Sequence, residues 1–210
     1  KPLIKYVVET SATLKPNKII LIVGYKKELV KNSLNHFTID FVYQKEQKGT
    51  AHAVKQCIDH IKKNGGNTLV LSGDVPFISK KTLENLINIH EKKNSLASLI
   101  SARIKDPEGY GRIVRNNENN FMKIVEHKDA NHAENNINEI NSGIYIFDTC
   151  TLCEKILLIK NNNKQGEYYL TDIFDFIEKD RISIIETEYI EEIKGINTID
   201  QLDNIAKQIY

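Results

Sequence analysis

The chain has 210 residues, of which 40% are hydrophobic and 27% are charged, with a formal net charge of +1. These values are typical of one globular α/β domain with a sizeable core and exclude a disordered chain. The balanced charge argues against a nucleic-acid partner, and no apolar run reaches membrane-spanning length or forms a signal peptide. We therefore expect a cytoplasmic protein with no stable membrane association.

Apolar runs of strand length alternate with segments of helical periodicity up to about residue 95. Pro16 ends one helical segment, Gly65-Gly66 ends another, and Ser79 is a suitable N-cap for a third. This alternation predicts a mostly parallel sheet with right-handed crossovers. The predicted helices are 3–15, 26–36, a segment opening at 49–50 and 79–94, and the predicted strands are 18–23, 37–43 and 67–71.

The pattern changes after about residue 95, where strand signals dominate. They are "SLASLISARI", "RIVR", "FMKIVEHK", "NSGIYIF" and "ISIIETE", interrupted by helical segments at about 150–161 and 168–179. Either a mixed sheet or a small β-rich insert that shapes a substrate pocket would produce this pattern.

Three cysteines, Cys57, Cys150 and Cys153, are typical of a protein in a reducing compartment. Cys150 and Cys153 have the C-x-x-C spacing of redox and zinc sites, but no second pair at ligand spacing accompanies them. We therefore expect buried, inert thiols.

The stretch "NTLVLSGDVPF", residues 67–77, runs from an apolar strand directly into a carboxylate. Turn chemistry alone explains Ser72-Gly73-Asp74 before a proline. A carboxylate at the carboxyl end of a parallel strand also lies where α/β sheets bind ligands, and Asp74 would suit Mg²⁺. The stretch by itself leaves both interpretations open.

Other polar clusters marked by glycine also follow predicted strand ends. Gln44 and Gln47 leave a strand before Gly49-Thr50 opens a helix, which suits a nucleobase or an anion but equally suits helix capping by Thr50. Turns, hairpins or solvated charges explain each remaining cluster alone, whereas their order along one chain is far more specific. These clusters are "DPEGYGRIV", "IVEHKD", "EINSGIYIF", "NKQGEYYLTDI" and "IKGINTIDQL".

That order resembles the uridylyltransferase domains of the bacterial bifunctional enzymes that make UDP-N-acetylglucosamine. The resemblance covers essentially the whole chain. Its motifs are Q-x-E-Q-x-G-T-x-H-A at 44–53, G-D-V-P at 73–76, D-P-x-G-Y-G-R-I at 106–113, I-V-E-H-K-D-A at 124–130, E-I-N-S-G-I at 139–144, N-x-Q-G-E-Y-Y-L-T-D-I at 163–173 and G-I-N at 195–197.

The resemblance implies one domain with a Rossmann-like α/β nucleotidyltransferase fold, in which a mixed, mostly parallel sheet carries helices on both faces. A nucleotide-binding half would span about 1–95 and a sugar-binding half about 96–197. The implied reaction joins UTP to N-acetylglucosamine 1-phosphate with Mg²⁺ and releases pyrophosphate. Its product would supply peptidoglycan and lipopolysaccharide synthesis.

The resemblance also implies roles for individual residues. Asp74 and Asn197 would bind the metal. The uridine would be held by Gln44, Gln47, Gly49 and Thr50. The sugar phosphate would be held by Ser72, Gly73, Asp74, Gly111, Glu126, Asn141 and Asn197.

Two family features are not found in these 210 residues. One is the glycine-rich L-x-x-G-x-G-T-R-M loop that cradles the triphosphate, which family members carry on a strand before the position of Lys1. The other is the C-terminal β-helix that carries acetyltransferase activity and forms homotrimers. We therefore expect a domain truncated at both ends, which alone is inactive or nearly so and poorly stable, and which is trimeric only with the β-helix.

Two alternatives remain beside this interpretation. One is another sugar-phosphate nucleotidyltransferase, although "VEHKDA" together with "QGEYY" favours the amino-sugar enzyme. The other is a non-catalytic module that binds nucleotide sugars. A glycosyltransferase is disfavoured because residues 74–76 read Asp-Val-Pro and lack the D-x-D metal motif.

Overall fold

The computed structural model describes residues 2–63, 65–196, 198 and 201, and its strands follow the apolar, β-branched runs of the sequence. The strands are β1 (Ile20–Val23), β2 (Asp40–Tyr43), β3 (Asn67–Val70), β4 (Ala97–Arg103), β5 (Arg112–Arg115), β6 (Phe121–Val125), β7 (Glu139–Asp148) and β8 (Ile182–Glu186).

The helices connect these strands and mostly begin at polar residues. The α-helices are α1 (Leu3–Thr13), α2 (Lys27–Ser33), α3 (Thr50–Lys55), α4 (Ile58–Ile61), α5 (Lys80–Lys92), α6 (His132–Asn135) and α7 (Thr149–Lys155). Short 3-10 helices cover Ile156–Leu158, Leu170–Phe176, Lys179–Arg181 and Ile190–Ile193.

Three local expectations are settled by these elements. Ser79 caps α5 as predicted, because its side chain accepts a hydrogen bond from the backbone N–H of Thr82 at 3.1 Å. The single helix predicted after Gly49 is wrong, since the segment divides into α3 and α4. The segment predicted as a helix over 168–179 contains the 3-10 helix Leu170–Phe176 instead.

The main sheet has six strands in the order β6-β5-β7-β4-β8, with β3 also pairing with β7. Strand β7 is antiparallel to β3, β4 and β5, whereas β4 and β8 are parallel. Consequently β3, β4, β5 and β8 run in one direction, and the prediction of a mixed α/β sheet is confirmed. Most neighbouring pairs are nevertheless antiparallel, because β7 lies between strands of the opposite direction.

The core lies on both faces of this sheet. On one face the strands pack against α3, α7 and the 3-10 helix Leu170–Phe176, through residues such as Val54, Leu152 and Phe174. On the other face they pack against α5, through Leu83 and Leu86. Strand β4 is buried along nearly its whole length, including its two serines.

Strands β1 and β2 form a separate parallel pair. Within the described ranges, β1 pairs only with β2, and β3 pairs only with β7. The apolar side chains of Leu69, Val70 and Leu71 are therefore half-buried. Strand β3, expected to pair in parallel, is antiparallel to its partner β7. Both β1 and β3 border the cavity described below, through Ile22 and Val70.

The thiols and the helices bear on two further expectations. Cys57 and Cys153 are buried, but Cys150 is exposed, so the expectation of a buried thiol is wrong for Cys150. Burial raises the pKa of the Cys57 thiol to about 12, which keeps it protonated and unreactive.

In the part of the chain that the structure describes, every helix is too short or too polar to cross a bilayer.

Candidate functional site

A cavity of about 400 Å³ opens beside the carboxyl ends of β1 and β3 and the first half of β7. Its walls join the residues predicted for the nucleotide to those predicted for the sugar. The predicted residues that line it are Gln44, Thr50, Ser72, Gly111, Glu126 and Asn141. Gln47, Gly49, Gly73 and Asp74 lie outside its lining, and Asn197 lies outside the described residues.

Through its backbone, Gly49 shapes the side of the cavity that is predicted to hold the nucleotide. Its φ of 104° and ψ of 175° belong to a region that is essentially restricted to glycine. A Cβ at this position would lie 2.5 Å from the carbonyl oxygen of Tyr168. The close approach permits two backbone hydrogen bonds of 2.8 Å, from Ala51 N–H to Tyr168 O and from Tyr168 N–H to Lys48 O. The loop before α3 is thereby joined to the 168–170 segment.

Thr50 strengthens the same junction. Its Oγ1 accepts a hydrogen bond from the backbone N–H of Leu170 at 2.9 Å. Gly49, not Thr50, occupies the N-cap position of α3, and no side chain caps this helix. Helix capping by Thr50, the alternative that the sequence left open, is therefore wrong.

Gln44 is buried at the end of β2, and its amide orientation is fixed by its neighbours. Its Nε2 lies 3.3 Å from the carbonyl oxygen of Gly49, an atom that can only accept, and 2.9 Å from Nδ1 of His52. The amide nitrogen therefore faces the protein, and Oε1 is left as an acceptor. Gln47 is exposed and lies against Gly24.

Glu126, Gly111 and Asn141 form the side of the cavity that is predicted to hold the sugar. A Cβ on Gly111 would lie 3.4 Å from Oε2 of Glu126 and 3.6 Å from Cβ of Asn141, so glycine allows the three residues to converge. Burial raises the pKa of Glu126, which is opposed by a 2.7 Å hydrogen bond from the Thr171 hydroxyl and increased by the charge of Asp129. The carboxylate is thus partly desolvated and lines the cavity.

Arg112 supports this side of the cavity from within the core, where its side chain is 2% exposed. One guanidinium nitrogen donates to the carbonyl oxygen of Tyr110, and the other lies 3.5 Å from the carbonyl oxygen of Asn135. Burial lowers the pKa of Arg112, and the charge of Asp106 opposes this effect. The arginine holds the turn that presents Gly111.

A bulge in β7 explains the sequence Asn141-Ser142-Gly143. Strand positions Leu99 and Ser101, two residues apart, pair with Tyr145 and Asn141, which are four residues apart. The additional residues of β7 therefore loop out. Gly143 supplies the required positive φ of 77°, and the Ser142 hydroxyl donates to the carbonyl oxygen of Ile100 at 2.7 Å. The bulge brings Gly143 close to Ser72: a Cβ added to Gly143 would lie 3.5 Å from Oγ of Ser72.

Asp74 lies just beyond β3 and is exposed. Its carbonyl oxygen accepts from Ile196 N–H at 2.8 Å, and an added Cβ on Gly195 would lie 3.3 Å from Oδ2 of Asp74. The chain just before Asn197 is therefore held beside the Asp74 carboxylate.

The Asp74 carboxylate fits a divalent cation that draws most of its ligands from phosphates. Among the described residues, no side chain forms a hydrogen bond or ion pair with this carboxylate. The described residues contain no group of three or more His, Cys, Asp or Glu side chains arranged to hold a metal ion. One carboxylate with phosphate oxygens is a common environment for Mg²⁺.

Sequence reasoning missed several residues that line the cavity. Tyr145 resembles an ordinary core residue of a strand, and Thr171 lies in a segment expected to be an α-helix. Tyr110 lies between two glycines, a pattern that predicts only a turn. The positive φ of Gly143 was signalled only by a glycine within a strand pattern, which is typical of a bulge.

Three kinds of comparison place the chain among known proteins. A sequence model of the nucleotidyl transferase family matches residues 1–186. The chain is 42% identical over 209 residues to a bifunctional protein GlmU of Staphylococcus saprophyticus, covering 99% of this chain and 46% of that protein. It is 41% identical over 199 residues to a bifunctional protein GlmU of Bacillus cytotoxicus, covering 94% of this chain and 43% of that protein. The chain thus spans less than half the length of these relatives.

Two solved structures share the fold. A UDP-glucose pyrophosphorylase complexed with UDP-glucose matches with a TM-score of 0.75 and 19% identity, over 100% of this chain and 87% of that one. A putative glucose-1-phosphate thymidylyltransferase from Bacillus anthracis matches with a TM-score of 0.72 and 20% identity, over 99% of this chain and 82% of that one. At these identities the likeness establishes the fold alone.

Proposed function

This chain belongs to the nucleotidyl transferase family, and we propose that it joins UTP to N-acetylglucosamine 1-phosphate, releasing pyrophosphate and forming UDP-N-acetylglucosamine. The observation that supports the proposal is that one continuous cavity is bordered by Gln44 and Thr50 on one side and by Glu126 and Asn141 on the other. Two substrates that react with each other need one continuous site of this kind.

The nucleotide side suits a uracil base. Both hydrogens of the Gln44 amide are directed at the Gly49 carbonyl and His52, so Oε1 is the atom available to a ligand. An acceptor matches the N3–H donor of uracil and not the N3 acceptor of cytosine. We propose that Gln44 reads this edge, with Gln47, Gly49 and Thr50 completing the uridine site.

The sugar side suits a hydroxylated amino sugar. The desolvated Glu126 carboxylate accepts sugar hydroxyls in charge-assisted hydrogen bonds. Asn141 offers a donor and an acceptor, and Gly111 exposes backbone beside both. Ser72 and Gly73 adjoin this side from the end of β3 and would face the sugar phosphate.

The reaction needs positioning more than protein nucleophiles. A phosphate oxygen of the sugar 1-phosphate attacks the α-phosphorus of UTP, a new P–O bond forms, and the bond to pyrophosphate breaks with pyrophosphate leaving in line. Asp74 and Asn197 would hold Mg²⁺, which neutralises phosphate charge when bound. The walls of the cavity orient the two substrates and limit the access of water.

The test is pyrophosphate release by the 210-residue chain and by the longest form of the protein that carries it. UTP, dTTP and CTP are each offered with N-acetylglucosamine 1-phosphate, glucosamine 1-phosphate or glucose 1-phosphate, with and without Mg²⁺. We expect UTP with N-acetylglucosamine 1-phosphate to give the highest kcat/KM. Preference for another pair would identify a different sugar nucleotidyltransferase, and binding of UDP-N-acetylglucosamine without turnover would identify a binding module.

A matched pair of variants tests the nucleotide side. Gln44→Leu should raise the KM for UTP roughly tenfold, because one hydrogen bond to the base is lost. Gln56→Leu is the control, since Gln56 bonds the carbonyl oxygen of His52 at 3.0 Å and does not line the cavity. Equal effects of the two substitutions would contradict the proposed role of Gln44.

A further inference from the structure

Tyr145 contacts Asn141 directly, which a regular strand would not allow. Residues four apart in a strand are separated by about 13 Å along its axis. The bulge in β7 shortens this separation to that of two residues, since Asn141 and Tyr145 pair with Ser101 and Leu99. As a result, Nδ2 of Asn141 lies 2.6 Å from the Tyr145 hydroxyl oxygen.

The hydrogen-bond partners of Asn141 determine which way its amide faces. The backbone N–H of Gly143 can only donate, and it lies 3.3 Å from Oδ1 of Asn141. Oδ1 therefore faces Gly143, and Nδ2 faces Tyr145. One N–H and one carbonyl lone pair of the Asn141 amide remain for a ligand in the cavity.

The Tyr145 ring is held rigidly in the core. The residue is 5% exposed and its ring lies 5.8 Å from that of Phe147 and 5.6 Å from that of Phe174, between centroids. Burial raises the pKa of the phenol, and the nearby charge of Glu126 raises it further, so the hydroxyl stays protonated. The neutral hydroxyl is therefore a hydrogen-bond acceptor in a fixed position beside the Asn141 amide.

We propose that Tyr145 is a positioning residue that fixes the orientation of the Asn141 amide and thereby sets the donor and acceptor pattern offered to the sugar. The identity of the ligand as an amino sugar rests on the proposed function, whereas the orientation of the amide does not. Without the Tyr145 hydroxyl, the amide keeps only its contact with Gly143 and can rotate.

The first experiment follows the side-chain amide of Asn141 by ¹⁵N–¹H NMR and needs no ligand. Its signal is assigned by its loss in Asn141→Ala. In Tyr145→Phe the amide proton that bonds the Tyr145 hydroxyl should exchange with solvent about tenfold faster, because its hydrogen bond is lost. Ser98→Ala is the control, since it removes a buried hydrogen bond to His90 elsewhere in the sheet. An Asn141 signal unchanged in Tyr145→Phe overturns the proposal.

The second experiment measures kinetics in the same variants. Tyr145→Phe should raise the KM for N-acetylglucosamine 1-phosphate about tenfold and leave the KM for UTP unchanged. In the Asn141→Ala background it should have no further effect, because Tyr145 acts only through Asn141. A full effect in that background refutes the proposal. If the wild type forms no UDP-N-acetylglucosamine, the proposed function fails, and the NMR result alone decides the role of Tyr145.

Discussion

Replacing Gly49 by alanine should destabilise the protein far more than a typical glycine substitution. The backbone at Gly49 has φ 104° and ψ 175°, and an added Cβ would lie 2.5 Å from the Tyr168 carbonyl oxygen and 2.8 Å from its nitrogen. Both neighbours are backbone atoms, so no side chain can move aside to relieve the overlap. The loop must either separate from Tyr168 or change its conformation.

The cost of this substitution follows from two terms. Holding a non-glycine residue in this region of backbone space costs about 2 kcal/mol. Moving the loop before α3 away from Tyr168 weakens the hydrogen bonds that join Tyr168 to Lys48 and Ala51, which contribute about 1 kcal/mol each. We therefore expect Gly49→Ala to lower the free energy of unfolding by about 4 kcal/mol.

Gly65→Ala is the matched control for backbone strain alone. Gly65 also has a positive φ, of 59°, but an added Cβ would meet no atom within 4 Å. This substitution should cost about 1 kcal/mol. Urea unfolding followed by far-UV circular dichroism measures both variants, since the chain has no tryptophan for fluorescence. A difference between the two variants below about 1 kcal/mol would refute the reasoning.

Three further predictions concern single side chains. Burial, followed by the charges of Asp175, Glu126 and Asp129, raises the pKa of Asp172 from 3.8 to about 6. Because the folded state binds this proton more tightly, the free energy of unfolding should fall as the pH rises from about 4 to about 6. In urea unfolding, Asp172→Asn should therefore be about 2 kcal/mol more stable than the wild type at pH 7 and no more stable below pH 4. Asp74→Asn should lower kcat about a hundredfold in a pyrophosphate-release assay. The melting temperature should stay unchanged, because the side chain is exposed and bonds no described side chain. Wild-type activity across a Mg²⁺ titration would exclude a metal role. Ser79→Ala should cost about 1 kcal/mol in unfolding without changing activity, because only the cap of α5 is lost; no change in stability would show that the cap contributes nothing.

Local sequence patterns predicted most strands and helices, because each element is encoded by its own apolar periodicity. They failed where the backbone departs from regular geometry for tertiary reasons. The segment after Tyr169 carries a helical pattern, yet its N-terminus is held by Thr50 from a distant loop, and it forms a 3-10 helix. The half-buried state of Val70 likewise depends on which strands pair beside it, which no local pattern specifies.

The residues of the candidate site likewise divide into those that a sequence signal marks and those that only the tertiary structure reveals. Gln44 and Glu126 follow apolar strands, which is a local signal shared with ordinary turns and solvated charges, and only the order of the motifs along the chain singled them out. Tyr145 was not singled out, because its sequence context is that of a buried strand and only the bulge at Gly143 turns its hydroxyl toward Asn141. A two-residue change in strand register thus converts a core tyrosine into part of the wall of a cavity. The register of β7 against β4 thus places Tyr145 beside Asn141 at the cavity, and substitutions at Gly143 should alter this wall of the cavity before they alter the core.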